Sequence, residues 1–173
     1  MNRNEQLLRS FCAPKGENRE YLQRPFRIGE YVYASDGKIM VRVLAEGVDA
    51  EPYEKAHAAP RLFAYHAKPA GAFKPMREFP APRPCPTCKG KRFFDFGIDG
   101  EELCAVCDGT GYEFERWNVC GAWFQVAYLH RIPVGSVIAA QPDNKSPLVF
   151  KGDGYEGLLM PLLDKISPEG EQP

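Results

Sequence analysis

The sequence predicts an α+β fold, an antiparallel sheet with two helices that carries an inserted four-cysteine zinc-binding hairpin module. Three observations predict it. Residues near both ends of the chain alternate apolar and polar with the period of two that a strand requires. Two other segments place apolar residues at helical spacing. Between these regions lie two Cys-x-x-Cys pairs, reached through a proline-rich stretch. With 173 residues, of which 44% are hydrophobic, the chain suffices for one core carrying a small insert. The implied division is an α+β domain from residues 1–51 and 115–173, a proline- and alanine-rich connection over 52–82, and a zinc-finger insert over 83–114.

The elements follow in order. Leu7, Leu8, Phe11 and Cys12 share one helical face, and Pro14 and Gly16 stop that helix. Tyr31-Val32-Tyr33-Ala34 is strand-like, and Ser35-Asp36-Gly37 is turn chemistry. In the return strand Ile39, Val41 and Val43 face one way and Lys38, Met40 and Arg42 the other, which predicts one buried face. From Pro52 to Pro86 lie eight of the sixteen prolines, which predicts an extended connection with a short helix near Arg61 to His66. Beyond the cysteines, Tyr112 to Cys120 predicts a strand and Phe124 to Arg131 a helix stopped by Pro133. Val137-Ile138-Ala139, Leu148-Val149-Phe150 and Leu158-Leu159-Met160 predict three short strands. Pro142-Asp143-Asn144 and Gly152-Asp153-Gly154 separate them as turns. Cys12 and Cys120 lie in apolar patterns and are expected as small core residues.

Cys85-Pro86-Thr87-Cys88 and Cys104-Ala105-Val106-Cys107 leave fifteen residues between the inner cysteines, within the range of four-cysteine zinc sites. Each Cys-x-x-Cys turn brings two sulfurs to one side of a tight loop, and two loops complete a tetrahedral shell. Gly90 and Gly109 each follow a pair by two residues, where the chain must turn back sharply. Arg92 to Phe96 and Glu101 to Leu103 flank Gly97-Ile98-Asp99-Gly100 as a hairpin spanning the two loops. Cys85, Cys88, Cys104 and Cys107 are therefore the expected ligands of one structural Zn2+, since four thiolates leave no open position for catalysis. The competing reading of a Cys-x-x-Cys pair is a redox dithiol.

Cys85-Pro86-Thr87-Cys88-Lys89-Gly90 and Cys104-Ala105-Val106-Cys107-Asp108-Gly109-Thr110-Gly111 resemble the C-x-x-C-x-G-x-G repeats of the DnaJ-type zinc finger. The second repeat is complete; the first has Arg92 where the final glycine would stand. The resemblance implies one zinc ion, because two repeats are present rather than the family's four. It implies no co-chaperone activity, since none of His57, His66 and His130 begins a His-Pro-Asp signature. A second resemblance lies outside the module. Ala34-Ser35-Asp36-Gly37-Lys38-Ile39 and Leu158-Leu159-Met160-Pro161-Leu162 are similar to segments of bacterial sliding clamps, with a helix ending Tyr128 to Pro133 and three strands between them. This implies a clamp-like sheet with length for one or two clamp repeats, and no ring around DNA. A small clamp-like protein with a zinc insert resembles accessory proteins of phages and mobile elements.

Several function classes are disfavoured. A net charge of −1 gives no global attraction to nucleic acid or anionic lipid. No apolar run approaches the roughly 20 residues of a membrane span. Met1 to Gln6 lack the apolar stretch of a secretory signal, so a cytoplasmic location is expected, the host cytoplasm if phage-encoded. There is no Gly-x-Ser-x-Gly and no phosphate loop, and a hydrolase built on His57 and His66 would need a second metal. No catalytic residue and no small-molecule substrate is expected. The strongest local charge is Lys74, Arg77, Arg83, Lys89, Lys91 and Arg92, interrupted only by Glu78, with Phe73, Phe79, Phe93, Phe94 and Phe96 interleaved. Arg83, Lys89, Lys91, Arg92 and Phe94 form the candidate binding surface. Its cations can neutralise phosphates while its rings stack on bases, or they can offset thiolate charge while the rings fill a miniature core. The expected function is a non-enzymatic adaptor that binds a protein partner, for instance inhibiting a host defence complex. The alternative is a nucleic-acid-binding accessory factor of replication or transcription.

Overall fold

A computed structural model of the chain describes residues 2–53, 58–69, 71–95, 101–141 and 143–163. The first helix, α1 (Arg3–Phe11), starts where Asn2 accepts from the Glu5 N–H and the Glu5 carboxylate accepts from the Asn2 N–H. This reciprocal cap satisfies two donors that a helix start leaves without partners. Leu8 and Phe11 are buried, and the backbone turns extended at Cys12, before Pro14.

Two antiparallel meanders make the sheet. The first is β1 (Phe26–Ile28), β2 (Tyr31–Ser35) and β3 (Ile39–Leu44). The second is β10 (Val137–Ala139), β11 (Leu148–Gly152) and β12 (Tyr155–Leu159). They join through the pairing of β12 with β3, with Gly157 opposite both Val41 and Phe150. The Phe150 ring lies over Gly157 so closely that a Cβ there would sit 2.0 Å from it. β12 begins earlier than the apolar run Leu158 to Met160 suggests, because Tyr155, Glu156 and Gly157 extend the ladder without an apolar pattern.

The proline-rich stretch contributes both rims. β4 (Glu51–Pro52) runs parallel to β1, and β5 (Lys74–Pro75) pairs with β10, giving the order β4-β1-β2-β3-β12-β11-β10-β5. Proline lacks a ladder donor, and a rim is where a strand tolerates that. Between them, α2 (Ala58–Leu62) and α3 (Ala64–Ala67) take the place of the single helix expected near Arg61 to His66. Residues 54–57, including His57, lie outside the described residues.

Alternate residues of the central strands enter two cores. Val32, Ala34, Leu148, Phe150 and Leu159 join Leu8, Phe11, Phe124, Leu129 and Ile132 on one face. Tyr33, Val149 and Leu158 join Ala59 and Phe63 on the other. In β3 the expected alternation holds, with Ile39, Val41 and Val43 buried and Met40 and Arg42 half-buried, while the segment containing α2 and α3 packs on the second face. Arg42, which faces that side, lies 4.2 Å from both the Tyr31 and Phe63 ring centroids and pairs with Glu156 at 2.6 Å. Burial of its stem between rings explains how a charged residue occupies a half-buried face.

The predicted strand over Tyr112 to Cys120 shrinks to β8 (Arg116–Val119), and the predicted helix over Phe124 to Arg131 becomes β9 (Ala122–Gln125) followed by one turn, α4 (Val126–Leu129). The cause is a two-residue hairpin turn. Cys120 and Gly121 adopt φ of 53° and 91°, the left-handed pair that a tight hairpin needs. Cys120 is therefore an exposed turn residue rather than core, whereas Cys12 packs at the core margin. No helix among the described residues is long and apolar enough to cross a membrane.

Candidate metal centre

The cysteine module rises from a paired neck. Pro84 and Tyr112 form an antiparallel bridge, and Glu113 N–H donates to the Arg83 carbonyl at 2.8 Å. The Arg83 guanidinium clasps the same neck, 3.0 Å from Glu113 and 2.5 Å from Glu115. Above it stands a short hairpin of β6 (Phe93–Asp95) and β7 (Glu101–Leu103). Phe96 and the tip 97–100 lie outside the described residues.

Residues 85–92 and 104–111 fold as near copies. Lys89-Gly90 and Asp108-Gly109 are both left-handed pairs, with φ of 52° and 83° in the first and 52° and 68° in the second. Three residues after Lys89 and Asp108 the backbone is left-handed again, at Arg92 (75°) and Gly111 (82°). Cys85 N–H donates to the Gly111 carbonyl and Cys104 N–H to the Arg92 carbonyl, each at 2.9 Å. Each loop thus closes on the last residue of the other, an approximate two-fold arrangement. Arg92 occupies its strained position while its Nε donates to the Gly109 carbonyl at 2.9 Å. At Gly111 a Cβ would come within 2.9 Å of the Gly90 carbonyl oxygen, so the second loop requires glycine where the first admits arginine.

This arrangement collects four sulfurs. Cys85, Cys88, Cys104 and Cys107 are all buried, and their Sγ atoms lie within 4.8 Å of one another. Cys85 and Cys104 are 4.0 Å apart, and Cys88 and Cys107 3.7 Å. A tetrahedral thiolate shell with metal–sulfur bonds of about 2.3 Å spaces its sulfurs about 3.8 Å apart. The donor set therefore fits a tetrahedral metal ion, and these residues could hold one. All six cysteines are free thiols. Backbone N–H groups of Cys88, then Thr87, hold the Cys85 thiol down at about 7, and burial pushes Cys107 up to about 11. Gly111 N–H donates to the Cys107 sulfur at 3.3 Å. Ion binding must displace thiol protons, so affinity falls on acidification.

The candidate binding residues separate by environment. Phe94 is half-buried and packs against the four cysteines. Arg83 and Arg92 are engaged in the neck and the loops as described. Lys89 and Lys91 are exposed, and no ion pair of theirs is found among the described residues. His66 lies far from this cluster in sequence and packs between Phe63 and Phe73, its Nε2 2.8 Å from the Gly157 carbonyl.

Sequence reasoning missed how the module is tied to the sheet. The turn between β2 and β3 reaches it directly: Lys38 forms an ion pair with Asp108 and lies over the Tyr128 ring. Asp36 in the same turn pairs with Arg131, whose guanidinium also donates to the Ser10 carbonyl at 3.0 Å. Turn chemistry flagged Asp36, but no local pattern distinguishes a turn aspartate that also receives a distant arginine.

Fold and site together define a mixed α+β protein with a large sheet, few helices and a buried four-cysteine cluster able to hold a metal ion. No family model matches the sequence, and comparisons with curated proteins and with solved structures found no match.

Proposed function

We propose that this chain is a non-enzymatic zinc-binding adaptor that docks on a protein partner. The observation that carries the reading is the buried set of four sulfurs within 4.8 Å of one another. Four thiolates without an open position suit structural zinc, which organises a segment and performs no chemistry. Val106 and Phe114, each 64% exposed, add apolar surface in and beside the loop that holds Cys104 and Cys107. Such residues on a metal-braced loop supply a rigid contact for a protein. The DnaJ-type and clamp-like resemblances support an accessory protein of phage or mobile-element origin acting in a host cytoplasm. Lys89 and Lys91 favour a second reading, nucleic-acid contact through the first loop.

The test is metal analysis and native mass spectrometry of the purified chain, followed by tagged recovery from its own cell. One zinc per chain, and one protein that stays bound at high salt and is lost in Val106→Asp or Phe114→Asp, is the expected result. Recovered material that is nucleic acid and leaves steeply with salt supports the second reading. Absence of any metal sinks both.

A further inference from the structure

A cavity of about 630 Å3 opens between the β5–β10 rim of the sheet and the β8–β9 hairpin, and none of the four clustered cysteines lines it. Ile138, Ala139 and Phe79 contribute to its lining. Trp117, 44% exposed, forms part of its wall. Lys74 and Arg77 stand in the same lining, and neither has an ion-pair partner among the described residues, in contrast to Arg42 and Arg83. We propose that this cavity binds an unpaired nucleotide, free or within a single strand, with its base against Trp117 and its phosphate on Lys74 and Arg77.

The chemistry of the lining selects this ligand class. The volume falls in the range of small-ligand sites, roughly 300–1,000 Å3. An aromatic face beside apolar walls favours a planar ring, and a nucleobase presents such a face whatever its sequence. Two cations without an ion pair among the described residues outnumber the one carboxylate of the lining, Glu78, and favour an anion there; a phosphate is the anion a nucleotide carries. Glu78, also in the lining, can accept from an exocyclic amino group of the base. The side-chain oxygen Oδ1 of Asn118 accepts from Gly121 N–H at 3.0 Å, which leaves the Asn118 NH2 group to donate. A paired base inside a duplex cannot offer its face to Trp117, so the cavity discriminates against double strands. This site stands apart from the metal centre and does not depend on the adaptor reading.

The experiment uses the full chain with its metal, titrated with a short fluorescein-labelled single-stranded DNA, with AMP and GMP, and with a hairpin duplex. Single-strand binding with quenching of tryptophan fluorescence is expected. Trp117→Ala should weaken it about tenfold, with Trp117→Phe retaining most of the affinity. Arg77→Glu and Lys74→Glu should weaken it further at low salt and flatten its salt dependence. Competition by AMP or GMP would assign the site to free nucleotides, and its failure to an unpaired nucleotide of a strand. Zinc content and circular dichroism establish that each variant is folded, and Arg77→Glu carries the test if Trp117→Ala is not. The proposal is overturned by no binding of strand or mononucleotide at millimolar concentration, by equal binding of the duplex, or by affinity unchanged in folded Trp117→Ala or Arg77→Glu.

Discussion

At the scale of single residues, two positions show how backbone and side chain trade constraints. Gly157 sits beneath the Phe150 ring in the middle of the sheet, where an added methyl must displace a fully buried aromatic. Gly157→Ala is expected to cost about 1–3 kcal/mol, read as a lowered denaturation midpoint. Arg92 is the reverse case, a non-glycine residue in left-handed backbone, held there by its bond to the Gly109 carbonyl. Left-handed backbone costs an L-residue roughly 1–2 kcal/mol. Arg92→Ala keeps that cost and loses the bond, whereas Arg92→Gly loses the bond and relieves the cost. Metal retention against a competing chelator should therefore rank Arg92→Gly above Arg92→Ala, and the opposite ranking would show that the left-handed backbone at this position carries no such cost. The cluster of four cysteines was legible in sequence because the spacing within each Cys-x-x-Cys pair is local. The equivalence of Arg92 to Gly111 was not, since a missing glycine reads as a departure until the φ angles are seen.

At the scale of elements, the hairpins read most clearly. Tyr31 to Val43 shows its register in the alternation of side chains, and the structure pairs it as the alternation requires. The segment after Phe124 was misread because apolar spacing over a short stretch fits one turn of helix and a strand end alike. The left-handed Cys120-Gly121 pair decides the matter, and cysteine is not a residue that announces such a turn. The two cysteine loops form an element of their own, in which neither closes without the other. Cys88→Ser or Cys107→Ser is expected to release the metal and loosen residues 83–114 while the sheet stays folded. Hydrogen exchange resolved by segment checks this. Loss of protection in β3 and β12 as well would show that the module and the sheet fold as one cooperative unit.

At the scale of the whole molecule, the sheet is sandwiched, and the second layer comes from a stretch whose composition suggested an extended connection with one short helix. Prolines and alanines mask its contribution because Ala59 and Phe63 carry the packing with little apolar periodicity. His66 fastens this layer. Burial lowers its pKa below the ordinary 6.5, with Arg42 and Lys151 opposing its charge further while Glu156 and the bond to the Gly157 carbonyl pull the other way. Nδ1 of His66 is buried and, among the described residues, without a hydrogen-bond partner. A histidine depressed in the folded state stays neutral while the unfolded chain takes a proton. Stability is therefore full above about 6.5 and declines as the pH falls toward the folded-state value. Denaturant melts at pH 7.5 and 5.5 should show a smaller acid loss in His66→Phe than in the parent chain, and an equal loss would remove His66 from the account.

The rims of the sheet carry a last consequence. Each ends on a two-residue strand whose second member is proline, Pro52 on one side and Pro75 on the other. A neighbouring copy that approached either rim would meet a ring nitrogen with no hydrogen to share, beside the charged Glu51 or Lys74. Edge-to-edge growth of the eight-stranded sheet from molecule to molecule is thereby disfavoured at both ends.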